Sequence, residues 1–204
     1  MQVGSRTPWG NVEYVHEFAK GVFYCSTPSH GGIKLDEDRN ARVPAEFRAP
    51  GGWYERDVDW SIAVLAVRDA FSPHRVAEAE RTCRNWKPAA YEAVTGLRLS
   101  VGQSYMLKLQ AWQAEHAHEL QAISGYHASS AFDGIPDDMV AVEATVGGDR
   151  SRTSEGRYFF VDKAEYSQGL REPMPFLIDT GRHEEVTRLD RSFVRSDRSP
   201  TPGF

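Results

Sequence analysis

The chain is poor in the features that make a sequence easy to classify. It has only two cysteines in 204 residues, Cys25 in a strand-like run and Cys83 on the apolar face of a helix-like run. Two thiols so far apart make neither a disulfide framework nor a zinc ribbon, and they read as buried free thiols of a reducing compartment. No window approaches eighteen consecutive apolar residues, which excludes a helical membrane span, and the opening MQVGSRTPWG has no apolar signal region. A cytoplasmic protein is the expectation. Neither sign of charge dominates, since 24 Lys and Arg stand against 29 Asp and Glu for a formal net charge of -5. That balance favours solubility and offers no general attraction to nucleic acid or anionic membrane. Complete catalytic signatures are missing too: there is no H-E-x-x-H and no G-x-S-x-G elbow.

What is present belongs to a folded domain. Apolar residues make up 40% and aromatics 11%, with five Trp and ten Phe, which is too much to leave in solvent. The length suits one core. Val12, Tyr14, His16 and Phe18 alternate, Ala19-Lys20-Gly21 supplies a turn, and Val22 to Cys25 and Ile33 to Leu35 follow as strands, which predicts a three-stranded antiparallel meander. Asp36 caps a short helix through Asn40, and Pro50-Gly51-Gly52 is a loop delivering Trp53 and Tyr54. Asp57 is placed as the N-cap of the apolar run Trp60 to Val67, whose length and acidic start favour helix while its Val and Ile leave strand open. Ser72-Pro73 starts a helix with Val76, Ala79, Cys83 and Trp86 on one stripe, Pro88 begins another, and Thr95-Gly96 ends it. A third helix is expected over Ser104 to Ala122, with Met106, Leu109, Trp112, His116 and Leu120 aligned.

Beyond the loop at Asp133-Gly134-Ile135-Pro136, Met139 to Val146 alternate and Arg157 to Val161 answer as a partner strand. Lys163 to Gln168 read as a helical turn, Phe176 to Ile178 as a short strand and Arg182 to Leu189 as helical. The expected fold class is therefore α+β in a single domain over 7–189: N-terminal antiparallel meander, central helices, C-terminal antiparallel strand pair. Residues 1–6 are expected to be flexible, and 190–204 to form a disordered tail.

The stretch from Ser26 to Trp60 is the least like filler. His30 sits between Ser29 and Gly31-Gly32, where missing side chains let a ligand or another backbone approach closely. The competing reading is a structural turn. Glu55 and Asp57 are the candidate acids beside a His30 base, so His30, Glu55 and Asp57 form the candidate catalytic set, with Ser29, Gly31, Gly32, Trp53 and Tyr54 as binding residues. Adjacent Ser29 and His30 diverge on an extended backbone, so Ser26 or Thr27 across the turn is the better-placed hydroxyl. No cofactor is expected. A divalent metal shared by His30, Glu55 and Asp59 is the alternative, since helical Glu55 and Asp59 would share a face and repel.

Three further groups carry weaker signals. His116 lies on the apolar stripe and reads as a satisfied core residue. Trp9, Trp53, Tyr54, Trp60 and Trp86 are either core, a stacking platform for bases or a partner anchor. Arg150, Arg152 and Arg157 at a loop tip, with Arg188, Arg191, Arg195 and Arg198 toward the C-terminus, are where nucleic-acid phosphate would find positive charge.

TPWG at Thr7 to Gly10, STPSHGGIKL at Ser26 to Leu35, GGWYERDVDW at Gly51 to Trp60, RNWKPAAYEAVTG at Arg84 to Gly96 and RYFFVDKAEY at Arg157 to Tyr166 together resemble an uncharacterised domain family encoded by bacteriophages, plasmids and other mobile elements. The likeness runs from Thr7 to Leu189. It departs at Glu55-Arg56-Asp57-Val58-Asp59, where a more acidic segment is expected. The resemblance implies a small accessory protein in the host cytoplasm, acting by binding a host or phage macromolecule, with counter-defence or host takeover as the setting. A small hydrolase or transferase is the first alternative, and a nucleic-acid binder the second.

Overall fold

The computed structural model describes residues 1–129, 131–151, 155–170 and 174–195. The fold is α+β: an N-terminal antiparallel sheet, central helices and a C-terminal antiparallel sheet. The chain divides into two compact units, Met1–Lys108 and Leu109–Phe204. Their buried apolar side chains form one cluster in the first unit and two in the second, so the single core expected from chain length is not what is observed. Among the described residues no helix is long and apolar enough to cross a membrane.

The first unit opens with β1 (Arg6–Thr7) and β2 (Gly10–Asn11), paired antiparallel through Arg6↔Asn11 and Thr7↔Gly10. Gly4 N–H also donates to Val12 O at 2.8 Å. Residues 1–6 are therefore in part tied into a hairpin, against the expectation of a loose start. Strands β3 (Tyr14–Ala19), β4 (Val22–Ser26) and β5 (Gly31–Leu35) form the predicted meander, and β6 (Trp53–Glu55), directly after the Pro50-Gly51-Gly52 segment, adds a fourth strand to the three expected. The correction follows from backbone pairing, which local pattern cannot show: Gly32↔Glu55, Ile33↔Tyr54 and Lys34↔Trp53 lie in register.

Pleating then sorts these residues by face. Val22, Ile33, Leu35 and Tyr54 point into the core cluster, whereas Gly32, Lys34, Trp53 and Glu55 share the other face. Between β5 and β6 lies α1 (Glu37–Asn40), capped as expected by Asp36, whose carboxylate accepts from Arg39 N–H at 2.8 Å. Tyr54, 1% exposed, donates its hydroxyl to Asn40 Oδ1 at 2.7 Å and accepts Ala49 N–H at 3.1 Å. A buried phenol paired this fully is structural.

Helix α2 (Trp60–Ala66) settles the ambiguous apolar run as helix, with Trp60 through Leu65 all buried. Fully burying an aliphatic side chain contributes roughly 1.5–3 kcal/mol, and this helix has Ile62, Val64 and Leu65. Its cap is Asp59, with no side-chain capping bond, and Asp57 sits in the preceding turn rather than at the N-cap. Pro73–Trp86 forms α3, capped by Ser72, and Pro88–Thr95 forms α4, closed by Gly96 at φ 74°. Both match the punctuation of the sequence. Of α3's expected stripe, Ala79 and Cys83 are buried, while Trp86 is half exposed and leans on Tyr105 with ring centroids 5.0 Å apart.

The expected third helix is shorter than its apolar stripe. Helix α5 (Tyr105–Glu115) has no buried residue, and the chain turns at His116–Glu119 before entering β7 (Leu120–Tyr126). The Ile-Ser-Gly-Tyr end of that segment is strand-like, and pairing with the next strand overrides the helical spacing of Leu120. His116 is accordingly not core: Nδ1 lies 2.7 Å from Glu119 Oε1 in a partly exposed pair.

In the second unit, β8 (Met139–Val146) and β9 (Arg157–Asp162) are the predicted pair, flanked by β7 on one side and by β10 (Glu184–Leu189) and β11 (Ser192–Arg195) on the other. Val140, Val142, Phe159 and Val161 pack on one face with Tyr166 of α6 (Lys163–Gly169) and with Ile178; Ala141, Phe160, Val186 and Phe193 pack on the other. Two expectations are corrected here. Arg182 to Leu189 are not helical, because Val186 alternates inward along β10. The chain from Asp190 is not all tail: Asp190, at φ 53°, turns it back into β11, which buries Phe193. Residues 196–204 lie outside the described residues.

Candidate functional site

The site grows out of one register pair. Gly32 of β5 faces Glu55 of β6, and His30 lies just before β5, so the turn and the acidic segment meet at one end of the sheet. There His30 Nε2 is 2.6 Å from Glu55 Oε1, the ring N–H donating to the carboxylate. About a third of each side chain is open to solvent, 31% and 36%.

The turn is held from within. Thr27 N–H donates to His30 O at 2.8 Å, and Thr27 Oγ1 donates to the same carbonyl and accepts His30 N–H. Thr27 is thus buried and committed to backbone geometry, which removes it as a free nucleophile. Ser29 is exposed at the tip.

Trp9 completes the site. The β1–β2 hairpin lays its indole against the sheet, with ring centroids 5.7 Å from His30 and 5.7 Å from Trp53, both edge-on. Gly32 makes this approach feasible, because a Cβ there would stand 2.5 Å from the Trp9 ring and collide with the Tyr54 carbonyl. The second glycine is needed as well: a Cβ on Gly31 would lie 2.9 Å from the Cys25 carbonyl. On the far side of Trp53, Lys34 Nζ sits 5.3 Å from the ring centroid. The result is a surface of two half-buried indoles, an imidazole–carboxylate pair and an ammonium.

Beneath it Cys25 is fully buried, and burial pushes its thiol pKa up. Cys83 is buried in the core, and burial pushes its thiol up to about 11. Both stay protonated and unreactive at neutral pH.

Not every predicted site residue joins this group. Gly31, Gly32, Trp53, His30 and Glu55 converge, with Ser29 next to them. Tyr54 is on the opposite face. Asp57 is exposed, 3.9 Å from its neighbour Arg56, and no described contact links it to His30 or Glu55. Asp59 belongs to another interaction, since its carboxylate is 2.9 Å from Lys87 Nζ. The Glu55 and Asp59 repulsion on one helix face does not arise, because Glu55 is in a strand. Among the described residues no group of three or more His, Cys, Asp or Glu is arranged to hold a metal ion. Arg150 is exposed at the loop tip, and Arg152 lies outside the described residues. Several arginines of that unit pair with acids at the surface: Arg157 meets Glu185 at 2.7 Å, and Arg195 meets Glu184 at 3.5 Å.

The sequence places Trp9 in the aromatic set without tying it to His30, and it gives Lys34 no role. The available signal for Lys34 was its place between core residues Ile33 and Leu35, which puts it on the same face as Trp53.

A family model described as a domain of unknown function (DUF7007) matches residues 2–117, more than half of the 204-residue chain, and the chain belongs to that family. No curated protein and no solved structure matches it.

Proposed function

We propose that this DUF7007 member acts by binding a partner protein through the outer face of its N-terminal sheet, centred on Trp9, His30, Trp53 and Glu55. The observation that carries the reading is the meeting of two indoles with an imidazole–carboxylate pair on a glycine floor. Half-buried tryptophans beside fixed polar groups are the usual anchors of protein recognition. Covalent catalysis is less well supported: Cys25 is sealed, and the Thr27 hydroxyl is spent on its turn. We further propose the setting implied by the sequence motifs, a phage- or plasmid-type accessory protein working in the host cytoplasm in counter-defence or host takeover.

The test is quantitative affinity capture from host extract, followed by titration of the purified captured protein. Wild type is compared with Trp9→Ala, Glu55→Gln and a control, Trp86→Ala, on α3. Affinity should fall at least about tenfold for the first two and stay unchanged for the control. Equal binding by all four would overturn the surface assignment.

One observation favours a second reading. The 2.6 Å contact orients the His30 ring as a general base would need, in a small hydrolase or transferase. On that reading His30→Ala abolishes a measurable turnover, whereas the binding reading expects none to be found.

A further inference from the structure

A second feature of the first unit lies at the junction of β5 and α1. Lys34, Asp36, Glu37, Asn40, Arg48 and Gly51 border a cavity of about 480 Å³, within the range of small-molecule sites. Its two cations are held in an unusual way. Lys34 Nζ donates to Leu35 O at 2.8 Å and Gly51 O at 2.5 Å. Arg48 donates from Nη2 to Ala41 O and Val43 O, each at 3.0 Å, and from Nε to Val43 O at 3.3 Å.

Elsewhere in this unit cations meet carboxylates: Arg39 and Arg42 reach Asp69 at 2.7 and 2.8 Å, and Lys87 reaches Asp59 at 2.9 Å. Lys34 and Arg48 take part in none of the described ion pairs. Backbone carbonyls fix their positions without cancelling their charge, so the ordering cost of gripping an anion is already met. Burial also pushes the Lys34 pKa down, a strain that an incoming anion would relieve.

The opposite charge is present on the same wall. Asp36 accepts Arg39 N–H through Oδ1, and Glu37 is exposed beside it. Two cations and two carboxylates around one cavity give no net field for a polyanion such as a nucleotide. They complement a molecule that carries both signs a few ångströms apart.

We infer that this cavity binds a small zwitterion of the amino-acid class, its carboxylate on Lys34 and Arg48 and its ammonium on Glu37 and Asp36. Lys34 also flanks Trp53 on the proposed partner-binding face, whereas Trp9 borders that face alone and Arg48 and Glu37 only the cavity, so substitutions at Trp9, Arg48 and Glu37 tell the two apart.

The experiment is calorimetric titration of the full chain with each proteinogenic amino acid, and then with the amide and the N-acetyl form of the best binder. Saturable binding is expected for at least one free amino acid, weakened about tenfold or more by either modification. Lys34→Gln and Arg48→Gln should each weaken the free amino acid but leave the amide unaffected, and Glu37→Gln should affect only forms with a free amine. Trp9→Ala should change nothing here. Failure of every amino acid to saturate below about 10 mM, a range where affinity is only a few kcal/mol, would overturn the inference. So would equal binding of acid and amide, or indifference to both cation substitutions.

Discussion

Of the described histidine–glutamate pairs, one in the first unit and one in the second are used in opposite ways. His30 and Glu55 are 2.6 Å apart with about a third of each side chain open, and Glu55 has no other described partner. His183 and Glu165 are 3.3 Å apart, but His183 is only 3% exposed. Its Nδ1 accepts Asp179 N–H at 3.1 Å, so the proton must sit on Nε2, facing Glu165. Arg182 Nη2 takes the same Glu165 oxygen at 2.5 Å, and the Phe176 ring covers the imidazole at 5.6 Å. In the second pair the imidazole is buried with both ring nitrogens engaged, although Glu165 itself is 30% exposed, so His183 fixes the segment that leads into β10. The first is bounded by indoles and still reachable. A shared residue pairing therefore says little about function until exposure and competing partners are counted.

The largest expected effect separates the pairs by stability. His183→Ala leaves Asp179 N–H without its acceptor and a void where the buried imidazole packed, while Glu165 keeps Arg182, and should cost about 2–4 kcal/mol, whereas His30→Ala should cost under about 1 kcal/mol. Urea unfolding followed by far-ultraviolet circular dichroism checks this; similar losses would erase the distinction and make His30 a structural residue. Next in size is Gly32→Ala, which drives a methyl into the Trp9 ring and the Tyr54 carbonyl and should cost about 1–3 kcal/mol with a change in tryptophan fluorescence. Gly102→Ala, with open space around the new methyl, should be near neutral. If both glycines behave alike, the floor under the first pair is not the constraint described.

The smallest effect calibrates an exposed ion pair. Arg39, then Arg42, hydrogen-bond the Asp69 carboxylate and hold its pKa below the usual value. A depressed folded pKa means stability that is present above the ordinary carboxylate value, about 4, and is lost as pH falls through the folded one. Asp69→Asn should therefore cost about 0.2–1 kcal/mol at neutral pH, shrinking to nothing in strong acid. Unfolding midpoints measured down the pH scale test both sign and size. A gap that widens in acid would contradict the assignment.

Much of the scaffold could be read locally. Asp36, Ser72-Pro73, Pro88 and Gly96 act within a turn of their own position, so the caps and stops they predict are where the structure has them. The α+β class followed from the same punctuation. What escaped depends on distant pairing. The three residues of β6 are too short to show alternation, and β10 and the start of β7 carry apolar spacings that suit either period until a neighbouring strand decides. For the candidate site, His30 and Glu55 were identifiable as chemistry-bearing groups in unusual loops. Asp57 and Tyr54 were grouped with them by proximity in sequence, which a strand's alternation undoes: one residue's step along β6 carries Tyr54 into the core and leaves Trp53 and Glu55 outside.

The β1–β2 hairpin bears one wall of the proposed binding face yet contributes no residue to the unit's buried cluster. On the proposed reading, part of recognition would rest on a segment outside the buried cluster. Clipping the chain ahead of Gly10 would remove Trp9 from over the glycine strip and the Cys25 thiol below it while leaving every member of that cluster in place, so on the proposed reading such a cut would weaken binding before it touched the core.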